Sequence, residues 1–159
     1  MLSQLKRLSL EVDGRYASDA ELQFMSDYVK SFNLRLQTYQ KLQELESKLI
    51  EQTYTKMRSL DPTLFMQGKD DFSNKWKMDT TRTFRYVAIA LLINDPDTLR
   101  ERLLLWFQTI LHAFGMERAA DVTYQILQEV VKQDLTPPQA SLVCPILELT
   151  RRSLGGVSA

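Results

Sequence analysis

Residues 66–93, MQGKDDFSNKWKMDTTRTFRYVAIALLI, constrain the fold more than any other stretch, because an irregular polar loop leads there into a long helix. From Trp76 onward, apolar or small side chains recur at intervals of three and four residues, which places them along one stripe of a helix. Such a stripe normally faces a protein core. Its members are Trp76, Thr80, Thr83, Val87, Ala90 and Leu91.

The rest of the chain shows the same periodicity, with no alternating strand pattern and no internal repeat. We count eight helical segments, so the expected fold class is all-α. A chain of 159 residues suits a single domain that buries about 70% of its unfolded surface. The sequence therefore predicts one helical domain with one core.

Several helix ends carry recognisable signals. Ser18 opens the capping box SDAE, and Asp95 precedes a proline at the start of a later helix. Gly115 suits the end of that helix. Pro145 lies inside the last helix, where it removes one backbone donor and predicts a kink or a break.

Each predicted helix has an apolar stripe that we expect in the core. The helix pattern between residues 33 and 60 is long, and a division into two helices near Gln43 is one interpretation of it. The stripes consist of Leu22, Met25, Val29 and Phe32; Leu36, Leu42, Leu45, Leu49 and Met57; Leu99, Leu103, Trp106, Ile110 and Phe114; Ala120, Tyr124, Leu127 and Val131; and Leu142, Ile146 and Leu149.

Composition excludes several classes of function. Twenty basic residues balance twenty acidic ones, so no net field recruits nucleic acid or an anionic membrane. No apolar run reaches the ~18 residues of a transmembrane helix, and the N-terminus lacks a continuous signal-peptide core. We expect a soluble protein without a transmembrane segment or a nucleic-acid partner.

Candidate catalytic and metal-binding residues are few. His112 is the single histidine and Cys144 the single cysteine, which disfavours Ser-His triads and sites with several His or Cys ligands. Asp70, Asp71 and Asp79 lie among lysines in and after the polar loop, which is typical of a solvated surface. The sequence predicts no enzyme activity, no catalytic residue and no metal site.

Two segments resemble the phycobiliproteins, the light-harvesting subunits of phycobilisomes. Residues 13–22, DGRYASDAEL, match a family pattern of Asp, Arg-Tyr, Ser and Glu-Leu, and residues 66–93 match the segment that carries the pigment. The resemblance covers nearly the whole chain. It implies the globin-like phycobiliprotein fold in a single domain of residues 1–159, with an N-terminal helical hairpin at residues 1–32 and a globin-like core at residues 33–155.

The resemblance fails at the pigment attachment site. There the family has Cys-x-Arg-Asp, whose Cys forms a thioether to an open-chain tetrapyrrole and whose Asp holds the pyrrole nitrogens. This chain has Thr80, Thr81, Arg82 and Thr83, so only the arginine is kept. A threonine hydroxyl cannot replace a thiolate nucleophile at neutral pH. The resemblance therefore implies no covalently bound cofactor.

The resemblance also suggests an association surface. In the family, the N-terminal hairpin packs on a partner subunit, and an Asp at the position of Asp13 pairs with a partner arginine. That arginine position is Ile89 here, although Arg85 lies one turn earlier and could substitute. We expect partner binding, through self-association or a phycobiliprotein-type subunit, at Leu5, Leu8, Val12, Asp13, Arg15, Tyr16, Arg85 and Ile89.

Three functions follow as hypotheses. The favoured one is a pigment-free interaction protein that acts in assembly, disassembly or regulation of phycobilisomes or another photosynthetic complex. The second is a noncovalent carrier or sensor of a tetrapyrrole, either a bilin or a chlorophyll precursor, held beside Arg82. An enzyme acting on bilins is the least favoured.

Two further expectations accompany these hypotheses. The cavity left by the missing pigment distinguishes a carrier from an adaptor, because Phe72, Trp76 and Phe84 either fill that space or turn away from it. The expected location is the cytoplasm, with the cytoplasmic face of the cyanobacterial thylakoid or the chloroplast stroma as more specific alternatives.

Overall fold

Seven α-helices make up most of residues 1–156, the part of the chain that the computed structural model describes. A 3-10 helix and two short strands connect the second helix to the third. The helices are α1 (Leu2–Glu11), α2 (Asp19–Leu60), α3 (Ser73–Leu92), α4 (Pro96–Leu99), α5 (Leu105–Ala113), α6 (Glu117–Asp134) and α7 (Pro137–Leu154). The 3-10 helix is Pro62–Phe65, and the strands are β1 (Met66–Gln67) and β2 (Asp70–Asp71).

The all-α prediction is confirmed. The strands form a minimal antiparallel ladder in which Met66 lies opposite Asp71, and a glycine with positive φ, Gly68, turns the chain between them. This small ladder was not predicted, since two-residue strands leave no alternating pattern in a sequence. It shapes the polar loop that precedes α3.

α2 is a single helix of 42 residues, which corrects two predictions. We predicted separate helices before and after residue 33 and a division near Gln43. No glycine or proline occurs between Asp19 and Leu60, and most of that stretch consists of good helix formers. The long helix therefore runs from the N-terminal segment into the core without a break.

The α2 helix is fastened to the end of α3 by two side chains. The Tyr28 hydroxyl donates to the Leu92 carbonyl at 3.1 Å, and Arg35 Nη1 donates to the Leu91 carbonyl at 2.8 Å. The last carbonyls of a helix have no partner within it, so these bonds satisfy groups that would otherwise need water. They fix the direction in which α2 leaves the core.

The predicted stripe of α3 is confirmed, because all six of its members are buried. α3 packs against α2 and α7, and α2 also packs against α6, which itself packs against α7. The predicted stripe of α6 is buried as well. Of the remaining predicted positions, Leu42, Leu49, Met57 and Ile146 are buried, whereas Leu36, Leu45, Leu142 and Leu149 are half-buried.

Threonines replace aliphatic side chains at several core positions without leaving polar groups unpaired. The hydroxyls of Thr53, Thr83 and Thr123 each donate to the backbone carbonyl four residues earlier, at 2.7–2.9 Å. Such back-bonding satisfies a buried hydroxyl within its own helix. The inner face of α3 can therefore carry threonine and remain part of the core.

The prediction that Trp106, Ile110 and Phe114 are buried is wrong. A π-helical turn at Arg100–Leu104 joins α4 to α5, and a π turn adds one residue to the helix. Positions after the turn are shifted by one residue, which is about 100° around the axis. The core side therefore receives Phe107, while Trp106, Ile110 and Phe114 are 43%, 38% and 53% exposed.

The predicted helix ends agree with the structure. Ser18 and Glu21 form the reciprocal capping box of α2, and Asp95 accepts a bond from the Thr98 amide at the start of α4. Gly115, with φ of 64°, follows the end of α5, where the Met116 amide bonds back to the Leu111 carbonyl at 2.9 Å. This is the glycine-terminated helix end expected from the sequence.

The apolar stripe at the start of α2 is exposed, which corrects the prediction of a core stripe there. Leu22, Met25, Val29 and Phe32 are all more than a third exposed, and Val29 reaches 72%. The beginning of α2 extends past the bundle, so no helix of the described chain covers this face. We call residues 1–32 the N-terminal arm.

The helix α7 is continuous from Pro137 to Leu154 with Pro145 inside it. Of the predicted kink or break, the break is therefore wrong, and the kink stays a prediction. Pro145 is exposed. Its ring therefore adds little to the core, while its missing amide still removes one helix hydrogen bond.

We predict that Pro145→Ala raises the free energy of unfolding by about 1–2 kcal/mol, because it restores a backbone donor and removes a ring clash. Chemical denaturation measures this. Pro138→Ala is the matched control, since its amide lies in the first turn and has no helical partner to lose. A lower melting temperature for Pro145→Ala would show that the proline is required by the packing.

Candidate functional site

The predicted pigment-site residues lie on two different faces of α3. Thr80 and Thr83 point into the core and are 4% and 1% exposed. Arg82 lies two residues after Thr80, roughly 200° around the helix, and is exposed. The structure therefore does not bring Arg82 together with the two threonines.

An apolar cleft lies beside Thr80, between α3, α5 and the start of α6. Its volume is about 120 Å³. We call it the α3–α5 cleft, and its main lining residues are Phe72, Trp76, Thr80, Phe107, Ile110, Phe114 and Tyr124. The space is small beside the ~300–1,000 Å³ typical of sites for drug-sized ligands.

Trp76 is held in the wall of the cleft by a hydrogen bond and by aromatic packing. Its indole Nε1 donates to Thr123 Oγ1 at 2.8 Å, and its ring meets Phe65 edge-on at 5.3 Å between centroids. Tyr54 packs on both rings. A buried indole with a satisfied N–H is held in one orientation, so Trp76 narrows the cleft.

Of the three aromatic residues expected to fill or vacate the pigment space, two belong to the core. Trp76 is only 7% exposed and Phe84 1%, whereas Phe72 is half-buried and lines the cleft. A cleft remains, but aromatic side chains reduce it. This geometry lies between the two outcomes that the sequence suggested.

The cleft has few groups that could do chemistry. At its rim, Lys75 Nζ and Asp79 Oδ2 pair at 2.9 Å. On its floor, burial raises the pKa of Tyr124 above its usual range, although interaction with the Thr83 hydroxyl opposes that shift in part. The phenol therefore stays protonated at neutral pH. The ionisable residues that line the cleft are therefore Lys75 and Asp79, which pair with each other, and Tyr124, which is neutral.

Cys144 is not among the residues that line the α3–α5 cleft. It lies on α7, half-buried, and burial raises the pKa of its thiol. A thiol with a raised pKa is a poor nucleophile at neutral pH. Cys144 is therefore not a candidate nucleophile.

A second depression lies on the outer face of α3. We call it the arginine groove; it has a volume of about 310 Å³. Three guanidinium groups reach it from α3 and from the π-helical turn, above a largely apolar floor. The lining includes Arg82, Arg85, Arg102, Tyr86, Ile89 and Ile93.

Arg85 is already engaged within the chain. Its Nη2 and Nε atoms bond to the two carboxylate oxygens of Glu46 on α2 at 2.7 and 2.8 Å. A two-point contact of this kind is the preferred geometry of an arginine–carboxylate pair. A partner carboxylate would have to compete with Glu46 for Arg85.

The tip of the N-terminal arm is organised around Arg15. Its guanidinium bonds to both carboxylate oxygens of Glu21 at 2.6 and 3.0 Å. Arg15, together with the Ser18 amide and hydroxyl, lowers the pKa of Glu21 to about 2. Arg15 thus stabilises the turn before α2, while Asp13 and Tyr16 beside it are exposed.

The start of the arm is anchored on the corner between α3 and α4. The Ser3 amide donates to Asp95 Oδ2 at 2.7 Å. Burial alone would raise the pKa of Asp95, but the bonds from Ser3 and Thr98 outweigh it, so the pKa lies below its usual range. The same carboxylate therefore caps α4 and holds α1.

Several of these contacts were not predicted from the sequence. Tyr28, Arg35, Asp95 and Thr123 bond to groups 47 to 92 positions away in the chain, and no local spacing in the sequence indicates such contacts. Arg102 was not predicted as a lining residue of the arginine groove, because the π-helical turn sets the direction of its side chain. Only Asp95 carried a signal, as a helix cap before a proline.

Two negative observations apply to residues 1–156. In that part of the chain, no cluster of His, Cys, Asp or Glu side chains is placed to hold a metal ion. None of its helices has the length and apolar character needed to cross a bilayer. His112, at the end of α5, is exposed and contacts Glu117.

The architecture defines an all-α, globin-like domain with an N-terminal arm. A family model described as phycobilisome protein matches residues 8–154. The chain therefore belongs to the phycobilisome protein family and has the phycobiliprotein fold. It is also 22% identical over 138 residues to allophycocyanin subunit beta-18 from Aglaothamnion neglectum. The aligned segment covers 84% of this chain and 81% of that relative.

Proposed function

We propose that this chain is a pigment-free interaction protein of the phycobiliprotein type. It docks on phycobiliprotein-type subunits or on another copy of itself, and acts in assembly, disassembly or regulation of phycobilisomes or another photosynthetic complex. One observation carries the proposal: the arm presents apolar side chains that the described chain does not bury.

The physical argument concerns α1 first. It has ten residues, and an isolated helix of that length is marginal in water. No residue of α1 is buried in the described part of the chain, and Leu5 and Leu8 on its apolar side are only half-buried. An amphipathic helix that gains so little from its own domain is stabilised when another surface covers its apolar side.

The start of α2 also carries exposed apolar side chains. Val29 is 72% exposed and Phe32 40%, and Tyr16 at the tip is 98% exposed. Contiguous exposed apolar residues mark interaction sites on proteins of this size. The arm as a whole therefore supports a docking role, with Leu5, Leu8, Val12, Asp13, Arg15 and Tyr16 as the proposed contact residues.

The engagement of Arg85 bears on the choice of partner. The family resemblance places Ile89 where a partner arginine would face Asp13, and Arg85 is bound to Glu46. A phycobiliprotein-type subunit that keeps the arginine would supply the missing pair. A heteromeric complex therefore requires no rearrangement of the Arg85–Glu46 contact.

The pigment-free assignment rests on chemistry at the α3–α5 cleft. A thioether to a bilin requires a cysteine sulfur, and Thr80 supplies a hydroxyl instead. Cys144 does not line the cleft. Thr83 replaces a carboxylate with a hydroxyl that already bonds to the Asp79 carbonyl at 2.9 Å. We assign no catalytic role to the chain.

A noncovalent tetrapyrrole carrier is the second candidate, favoured by the apolar lining of the cleft. The cleft remains open beside Thr80, with Lys75 at the rim as a cation for a propionate. Its volume of about 120 Å³ opposes this role unless the ligand projects into solvent. Arg82 would not assist, because it faces the arginine groove.

We predict that Leu5→Glu with Leu8→Glu abolishes association, since it places two charges on a surface that must be dry in the complex. Allophycocyanin serves as the probe in a co-purification experiment, and light scattering reports the mass of the chain alone. Circular dichroism should show that most helicity is kept.

The matched control is Leu10→Glu, the same change on the opposite side of α1, which should leave association intact. Unchanged mass and unchanged capture of allophycocyanin by the double variant would show that the arm is not the interface. The docking proposal would then lose its support.

We predict that Thr80→Cys, expressed with pigment synthesis and a bilin lyase, accepts bilin poorly and with a blue-shifted spectrum, because Thr83 supplies no carboxylate. Thr80→Cys with Thr83→Asp should perform better. Intact mass and absorption measure both effects, and the wild type should have the mass of the bare chain.

Thr81→Cys is the control, since that side chain lies outside the cleft. A wild-type species heavier by one bilin would contradict the pigment-free assignment. Equal spectra for the single and double variants would show that Thr83 does not occupy the position of the family's aspartate.

A further inference from the structure

The lining of the arginine groove is positively charged. Three guanidinium groups belong to it, whereas no aspartate or glutamate of the described chain is among the lining residues. Asp97 and Glu101 each adjoin a lining residue in the sequence, but neither lines the groove itself. A chain with no net charge thus has one depression whose ionisable groups are cations and a phenol.

Two of the three arginines are available to a ligand. Arg82 and Arg102 are exposed and line the groove, and neither makes an ion pair within residues 1–156. Arg85 differs from them, because Glu46 neutralises it at 2.7 Å. That contact engages Nε and Nη2 of Arg85 and holds its side chain in place. The charge available to a ligand is therefore that of two guanidinium groups.

The floor of the groove is apolar. Ile89 is 43% exposed there, while Ala90 and Leu99 are buried members of the same lining. Tyr86 and Ile93 are half-buried and add further apolar area. Covering such surface with an apolar group removes it from water, which is favourable. A ligand that suits the groove therefore combines an anionic group with an apolar body.

The groove has the volume of a small-molecule site. Its volume of about 310 Å³ lies at the lower end of the ~300–1,000 Å³ typical of sites for drug-sized ligands, whereas the α3–α5 cleft does not reach that range. Tyr86 and Thr98 also line the groove, and each has a hydroxyl that can donate a hydrogen bond. Such donors can orient an anionic ligand beside the guanidinium groups.

Charge balance favours a phosphate monoester over a carboxylate as the anionic group. A phosphate monoester carries about two negative charges at neutral pH, which matches the charges of Arg82 and Arg102. A single carboxylate would neutralise only one of them. The planar guanidinium group also binds phosphate oxygens through two parallel N–H bonds.

We propose that the arginine groove binds a small soluble phosphate monoester with an apolar body. Its phosphate group lies between Arg82 and Arg102, and its apolar body covers Ile89 and Ile93. A phospholipid is a poorer match, since its acyl chains stay in the bilayer and leave this floor uncovered. The site is separate from the N-terminal arm and does not depend on the docking role proposed for it.

Isothermal titration calorimetry of the wild-type chain tests the site with phenyl phosphate as the probe. Inorganic phosphate supplies the anionic group alone, and phenol supplies the apolar body alone. Phenyl phosphate should bind at least about tenfold more tightly than either fragment, because it contacts the guanidinium groups and the floor together. Its affinity should fall as salt rises.

Two variants test the position of the site. Arg82→Gln with Arg102→Gln should weaken the binding of phenyl phosphate by about tenfold or more, because both charged donors are lost. The matched control is Arg100→Gln, which removes an exposed arginine that does not line the groove and should leave the affinity unchanged. Circular dichroism should show the same helicity for both variants and the wild type.

Three results would overturn the inference: no binding of phenyl phosphate at millimolar concentration, equal affinity for phenyl phosphate and inorganic phosphate, or unchanged affinity in a folded double variant. Pelleting of the chain with phosphatidic acid vesicles, without binding of phenyl phosphate, would overturn it as well. The docking role is tested separately, by capture of allophycocyanin, so either proposal can fail while the other holds.

Discussion

The burial of one face of α3 is the constraint on which the rest of the structure depends. Packing against α2 and α7 fixes the rotation of α3, and that rotation sends Thr80 and Thr83 inward and Arg82 outward. Residues adjacent in the chain therefore serve two separate depressions. One is an apolar cleft shared with α5 and α6, and the other is a basic groove that faces solvent.

Local signals determined much of what could be predicted. The capping box at Ser18, the cap at Asp95 and the glycine after α5 act within a few residues, so their geometry follows from short-range chemistry. The buried stripes of α3 and α6 follow from helical periodicity because both helices are regular along the stripe. The family resemblance, which rested on residues 13–22 and 66–93, is confirmed by the match over residues 8–154.

The wrong predictions arise from contacts between residues distant in sequence or from a local change of helix type. The π-helical turn rotates Trp106 away from the core. A sequence pattern analysed with a period of 3.6 residues does not reveal the one residue that this turn inserts. The stripe of α2 that includes Val29 has the pattern of a core face, and only the absence of a covering helix in the described chain reveals its exposure. For the candidate site, helical periodicity correctly predicted that Thr80 is buried, but it did not separate Arg82 from Thr80. Arg102 joins the groove only through the tertiary fold.

The proposed function rests on two features: the exposed side chains of the N-terminal arm and the residues of the α3–α5 cleft. We propose that the arm offers apolar area and charge to a partner, and that Thr80 and Thr83 at the cleft do not hold a covalent pigment. Absorption of the protein isolated from its native host, measured beside its co-purifying proteins, tests this claim most directly. The account predicts phycobiliprotein-type partners with no tetrapyrrole absorption belonging to this chain. A chain that carries pigment and brings down no partner would contradict it.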